Sequence, residues 1–182
     1  MTQEFQGNPS TQAKKNRCLL MDWGDTLMRN FIQFNGPMVT WPKVEALPFA
    51  SQALQQLYPA WLLALATNAP DSKEVEIWAA LQRADLDQWI DCIYCYHNIG
   101  FKKPSSQFFQ AVLADLTLEP SQVVMLGDDF ETDILGAIQA GLWALWLNEK
   151  SSEEKISTKY TTIHSLAELP KAIYSLVGDS QY

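Results

Sequence analysis

Short, continuous apolar runs that alternate with longer segments of helical apolar spacing constrain this chain more than any other feature. The runs are Cys18–Asp22, Leu62–Thr67, Cys92–Tyr96, Val123–Gly127, Leu142–Leu147 and, most weakly, Thr161–Ile163. Such a run has no polar face to offer water, which suits a strand covered on both sides, as in a parallel sheet. Between the runs the spacing changes. Phe108, Phe109, Val112, Leu113 and Leu116 form one apolar helical face, and Ile134, Leu135 and Ile138 form another before Gly141. Leu54, Leu57 and Tyr58 mark a helix ahead of the second run, and Leu166, Leu169, Ile173 and Leu176 mark a last one. Asp71-Ser72-Lys73-Glu74 is expected to cap the helix that carries Ile77, Trp78 and Leu81. Strands alternating with helices imply β-α-β units with right-handed crossovers. The expected fold is therefore α/β, a three-layer sandwich around a mainly parallel central sheet.

At 182 residues the chain lies within the usual range of about 100–200 residues for one domain. Residues 1–16, rich in Gln, Thr, Ser, Asn and Lys, read as a flexible tail. Residues 17–182 read as one domain, with a short insertion at about 28–48. Composition narrows the functional classes. Thirteen basic residues against twenty-one acidic ones give a net charge of −8, the wrong sign for a nucleic-acid binder. No apolar run approaches the roughly 20 residues of a membrane span, and the polar N-terminus lacks a secretory apolar segment. Three cysteines argue against a disulfide framework and suit a reducing, cytoplasmic setting.

In open parallel sheets, ligands bind beyond the carboxyl ends of the strands, so the residues after each run carry the functional reading. These are Asp22-Trp23-Gly24-Asp25-Thr26-Leu27, then Thr67-Asn68, then Gly100-Phe101-Lys102-Lys103-Pro104, then Gly127-Asp128-Asp129-Phe130-Glu131-Thr132-Asp133. Acid, hydroxyl, cation and acid pair would meet at one sheet edge. That set suits phosphoryl transfer. A carboxylate can attack phosphorus, bound Mg²⁺ can offset the charge repulsion, and a lysine and a hydroxyl can hold the equatorial oxygens.

With these four motifs in order, from about Arg17 to Leu176, the chain resembles the haloacid dehalogenase-like (HAD) superfamily, whose members are mostly Mg²⁺-dependent phosphatases. The resemblance implies the Rossmann-like fold of that group and a phosphomonoesterase working through an aspartyl-phosphate. It makes Asp22 the nucleophile, Thr67 and the Asn68 backbone phosphate contacts, and Lys103 the phosphate-positioning cation. Asp22, Asp128 and the Gly24 carbonyl would hold Mg²⁺, with Asp129 or Asp133 in the inner or outer shell.

One departure matters. The family's first motif usually reads Asp-x-Asp-Gly-Thr, and its second Asp supplies the acid and base. Gly24 stands at that place, and Asp25 follows it. General acid–base help is worth about 10²–10⁴ in rate, so the expectation is a phosphatase biased toward good leaving groups. Asp25 remains among the catalytic candidates as the neighbouring carboxylate. Adjacent side chains on extended backbone face opposite ways, so it serves only if the turn is irregular. Gly24 equally supports a second reading, a binding or regulatory domain with little or no turnover. Dehalogenase chemistry, which the resemblance also includes, runs without metal and suits the acid cluster least.

The resemblance places substrate choice in inserted caps, and residues 28–48 offer a loop or small hairpin only. Relatives without caps take large substrates or borrow a neighbouring subunit as a lid, so a phosphorylated small molecule, a phosphorylated macromolecule and a homo-oligomer all stay open. Phe31, Phe34, Met38 and Trp41 read first as packing of that loop, and otherwise as a lid or partner surface. Cys92-x-x-Cys95 lies inside an expected strand, where residues three apart face opposite sides. It reads as structural, not as a redox or zinc pair. His97 reads as a surface histidine, and His164 is expected to open the last helix.

Overall fold

A computed structural model of the chain describes residues 15–178. Residues 1–14 of the expected tail lie outside it. Lys15 and Asn16, assigned to that tail, are tied to the body. Lys15 contacts Asp91 at 3.0 Å and covers the Tyr58 ring, while the Asn16 carbonyl accepts from Gln122.

All six expected strands are present. They are β1 (Cys18–Met21), β2 (Leu62–Thr67), β3 (Cys92–Cys95), β4 (Val123–Gly127), β5 (Trp143–Leu147) and β6 (Tyr160–Ile163). They form one parallel sheet in the order β3-β2-β1-β4-β5-β6. The helices are α1 (Ala50–Leu57), α2 (Glu74–Arg83), α3 (Tyr96–Ile99), α4 (Ser106–Leu116), α5 (Gly136–Gln139) and α6 (Leu169–Val177). None is long and apolar enough to cross a membrane.

Period-two alternation divides the apolar residues between two cores. Leu19, Met21, Leu63, Leu65, Val124 and Leu126 pack on one face, with residues of α1, α2 and α6. Cys18, Leu20, Ala64, Ala66, Val123 and Met125 pack on the other, with Phe108 and Phe109 of α4 and Ala137 of α5. Every β1 and β4 residue is buried. The sandwich thus has three layers, and the apolar runs are continuous because both faces of the sheet are covered. Cys95 joins the first core and Cys92 borders the second, as their spacing along a strand requires.

Four details differ from expectation or sharpen it. Tyr96 leaves the third strand and opens α3. The Asn98 side chain accepts from the Cys95 N–H and donates to the Ile93 carbonyl, both at 2.8 Å, which curls the chain back. Within Asp71-Ser72-Lys73-Glu74, the cap of α2 falls on Lys73, through its backbone. The Lys73 N–H donates to the Glu76 carboxylate at 2.7 Å, and Ser72 is buried instead. The segment Phe130–Leu135 is a wide, π-type turn before α5. His164 does not open the last helix but follows β6 with its ring Nδ1 2.8 Å from the Asn148 carbonyl.

Residues 28–48 double back on themselves. The Arg29 N–H donates to the Glu45 carbonyl and the Leu47 N–H to the Leu27 carbonyl, both at 2.8 Å. Met38 and Trp41 sink into the first core. The Arg83 guanidinium of α2 donates to the Val39 and Trp41 carbonyls, at 2.7 and 2.8 Å. The segment is a strap fastened at its middle as well as its ends.

Candidate active site

The strand order reverses at β1, whose neighbours are β2 and β4, with β3 reached from one side and β5 from the other. Crossovers leave in opposite directions there, so the carboxyl ends of β1 and β4 open a crevice. Asp22 follows β1 and Asp128 follows β4. The Asp22 N–H continues the ladder to the Leu126 carbonyl at 2.9 Å, which fixes how the two loops start.

Lys103 enters from the loop before α4. Its ammonium lies 2.7 Å from Asp22 Oδ1 and 2.8 Å from Asp133 Oδ1, with its side chain only 1% exposed. The loop that delivers it is gripped by Asn68 at the end of β2. Asn68 Oδ1 accepts from the Lys103 N–H at 2.9 Å, and its Nδ2 donates to the Lys103 carbonyl at 2.8 Å. The side chain of Asn68 therefore positions the lysine, a task its sequence position did not announce. Thr67 is buried beside it and accepts from the Ala69 N–H at 3.1 Å.

Asp22, Asp128 and Asp133 offer carboxylate oxygens within 4.8 Å of one another. Burial and then the Asp22 charge raise the Asp128 carboxyl above its usual range, against the pull of Lys150. Burial pushes Asp133 up to about 7, with Lys103 opposing. Burial alone would lower the Lys103 ammonium, but the Asp22 and Asp133 charges outweigh it and hold the group above its ordinary value. Three crowded carboxylates, two held by the buried Lys103 and the third reached only by the exposed Lys150, form an oxygen donor set suited to a hard divalent cation.

Two candidates stand elsewhere. Asp25 has φ of 53°, in the left-handed region, so the turn is irregular. Its carboxylate accepts from the Asn30 N–H at 3.0 Å and lies 3.4 Å from the Lys150 ammonium. It lines a neighbouring depression with Arg29, Asp128, Asn148 and Lys150, not the cavity in front of Asp22 and Gly24. The Asp25 carboxylate thus faces Lys150 rather than the Asp22 side of the site. The carboxylate of Asp129 caps the following turn, accepting from the Thr132 N–H at 2.8 Å, and is not part of the three-acid cluster.

The structure adds two residues. Thr26 is fully buried, with its hydroxyl 3.4 Å from Asp22 Oδ2 and 3.5 Å from Asp128 Oδ1, between the two acids. Its place four residues after Asp22 was the available signal. Lys150 reaches Asp128 at 3.3 Å as well as Asp25, and nothing in the sequence around it pointed there.

A cavity of about 420 Å³ is lined by Asp22, by Thr67 and Asn68, and by Phe34, Met38 and Trp41 of the strap. A carboxylate on the wall of a small cavity, backed by a buried lysine and two further acids, can bind a phosphoryl group and attack it.

The sequence pattern of haloacid dehalogenase-like hydrolases matches residues 19–141. The chain is 29% identical over 105 residues to a glyceraldehyde 3-phosphate phosphatase of Methanothermobacter thermautotrophicus, covering 54% of this chain and 46% of that protein. It is 35% identical over 95 residues to a pyrimidine 5′-nucleotidase of Escherichia coli, covering 51% and 42%. The chain thus spans about half the length of these curated relatives. A protein from Listeria monocytogenes serotype 4b has the same fold, with a TM-score of 0.77 and 24% identity over 88% of this chain and 98% of that one.

Proposed function

The chain belongs to the haloacid dehalogenase-like hydrolases, and from that premise we propose that it hydrolyses phosphate monoesters, with Mg²⁺, through a phosphorylated Asp22. The observation that carries this reading is the Asp22 carboxylate on the cavity wall, 2.7 Å from the buried Lys103 and within 4.8 Å of the Asp128 and Asp133 oxygens.

A phosphate in the cavity would present its oxygens to the Lys103 ammonium and the Thr67 hydroxyl. An Asp22 oxygen attacks phosphorus, the bond from phosphorus to the ester oxygen breaks, and the released group departs with that electron pair. Water then attacks phosphorus, the bond to Asp22 breaks, and inorganic phosphate leaves with Asp22 restored. Asp22, Asp128, Asp133 and the Gly24 carbonyl would hold Mg²⁺, which when bound lowers the negative charge the phosphate meets. Asp133 also holds Lys103 in place, and Asn68 holds its backbone.

No carboxyl stands at Gly24 to protonate the departing oxygen, and Asp25 is engaged with Lys150. Esters of acidic alcohols, such as aryl and acyl phosphates, are therefore the favoured substrates. The cavity volume favours small molecules over macromolecules. The missing acid is also the observation that favours the second reading, a phosphate-binding domain with little turnover.

The test is turnover of aryl, acyl and alkyl phosphates with Mg²⁺, with EDTA, and in Asp22→Asn. Aryl and acyl turnover that both chelation and Asp22→Asn abolish is the expected result. No turnover of any ester, with phosphate still bound, would support the second reading instead.

A further inference from the structure

The walls of the cavity describe the organic group as well as the phosphate. Resting on the phosphatase reading above, we propose that the site selects monoesters whose released group is compact, uncharged and flat-faced. The strap wall is aromatic and preformed. Phe34 and Trp41 meet at 5.7 Å between ring centroids, tilted by 56°, and Phe31 backs Phe34 at the same distance. The Trp41 indole N–H is already given to the Gly36 carbonyl at 3.0 Å, so that ring offers hydrocarbon rather than a donor. Arg83 fastens the strap through the Val39 and Trp41 carbonyls, and little ordering is needed when a ligand docks against it.

Charge sets the second limit. Among the described residues that line the cavity there is no Lys, Arg or His, and its charged side chains are Asp22 and Asp71. Lys103 serves the phosphate end. A second anionic group on the substrate would find no cation and would face the Asp71 carboxylate. A hydroxyl, by contrast, finds Asp71 and Ser72 among the residues that line the cavity.

Phenyl phosphate and 4-carboxyphenyl phosphate release phenols of similar acidity but differ in charge, and acetyl phosphate has no ring. We expect kcat/KM for phenyl phosphate to exceed that for the carboxylated ester at least about tenfold, a gap that Asp71→Asn narrows. Phe34→Ala should lower kcat/KM for phenyl phosphate by about 3- to 10-fold relative to acetyl phosphate. Should that variant lose its fold, Phe34→Leu carries the same comparison. Equal use of the two aryl esters, or an equal loss on phenyl and acetyl phosphate in the Phe34 variant, overturns the proposal while leaving hydrolysis intact. If nothing is hydrolysed, calorimetry with phenylphosphonate and 4-carboxyphenylphosphonate decides. Preferential binding of the uncharged ligand, weakened in Phe34→Ala, upholds the pocket and overturns the hydrolysis; equal or absent binding overturns the pocket as well.

Discussion

A Cβ at Gly127 would lie 2.1 Å from a carboxylate oxygen of Asp133. The last residue of β4 is therefore a glycine for want of space, and the buried acid that touches Lys103 occupies that space. Gly127→Ala must move Asp133, and with it Lys103. The expected outcome is a loss of about 1–3 kcal/mol in denaturant unfolding. Hydrolysis should fall on the order of 100-fold, because a displacement near 1 Å suffices for that.

Lys103→Met leaves Asp133 buried without its cation. Breaking such a pair destabilises by about 3–5 kcal/mol. The double variant Lys103→Met, Asp133→Asn should recover part of that loss in a urea titration, since Asp133 then carries no buried charge while Asp22 still lacks its cation. A double variant no more stable than the single one would show that the lysine acts through packing.

Asp128→Asn tests metal binding by a readout that does not depend on turnover. In the wild-type chain, Mg²⁺ at 100 times its dissociation constant should add about 2.7 kcal/mol. For a chain of this size that is a rise in Tm of about 5–10 °C. In Asp128→Asn the Mg²⁺-dependent rise should vanish. The metal-free Tm should instead increase, because a like charge beside Asp22 has been removed.

Gly24→Asp restores an acid where the backbone has room for it. A Cβ there meets only the Asn30 side chain, at 3.7 and 3.9 Å, which is ordinary contact. Turnover of alkyl phosphates should rise on the order of 100-fold, with a much smaller gain on aryl phosphates. An equal gain on both classes would mean that leaving-group protonation is not what the native chain lacks.

Cys92 offers a check of the third strand. Burial is the main cause that pushes its thiol up to about 11. A raised thiol pKa leaves less thiolate at neutral pH, so alkylation followed by mass spectrometry should be slow at pH 7. Labelling of Cys92 should then accelerate about tenfold per pH unit through pH 9, as thiolate is the reactive form. A rate already level by pH 8 would mean that the site is not buried as described.

Most of the fold was legible because burial on two faces leaves a local mark. Leu62–Thr67 and Val123–Gly127 are apolar without interruption, and both are strands over those same residues. Helix starts were less legible. Within the expected segment Asp71-Ser72-Lys73-Glu74, the cap settles on Lys73 because Glu76 reaches back to its N–H, a choice made by side-chain geometry rather than residue type. Asp22, Thr67, Lys103 and Asp128 could be singled out because each follows an apolar run. Asp25 and Asp129 carried the same local signal and went elsewhere, one turned by a left-handed backbone toward Lys150, the other spent on a cap.

Sequence by itself determined the alternation of strand and helix and which residues stand at the carboxyl ends of the strands, because both are written within a few neighbouring positions. Only the tertiary structure decided which of those residues meet. The reversal of strand order at β1 brings Asp22 beside Asp128, and the absence of a side chain at Gly127 admits Asp133 to Lys103. A strap fastened by Arg83 sets Phe34 and Trp41 along the same cavity as Asp22. Contacts between residues far apart in the chain depend on packing in three dimensions, and no local pattern encodes them.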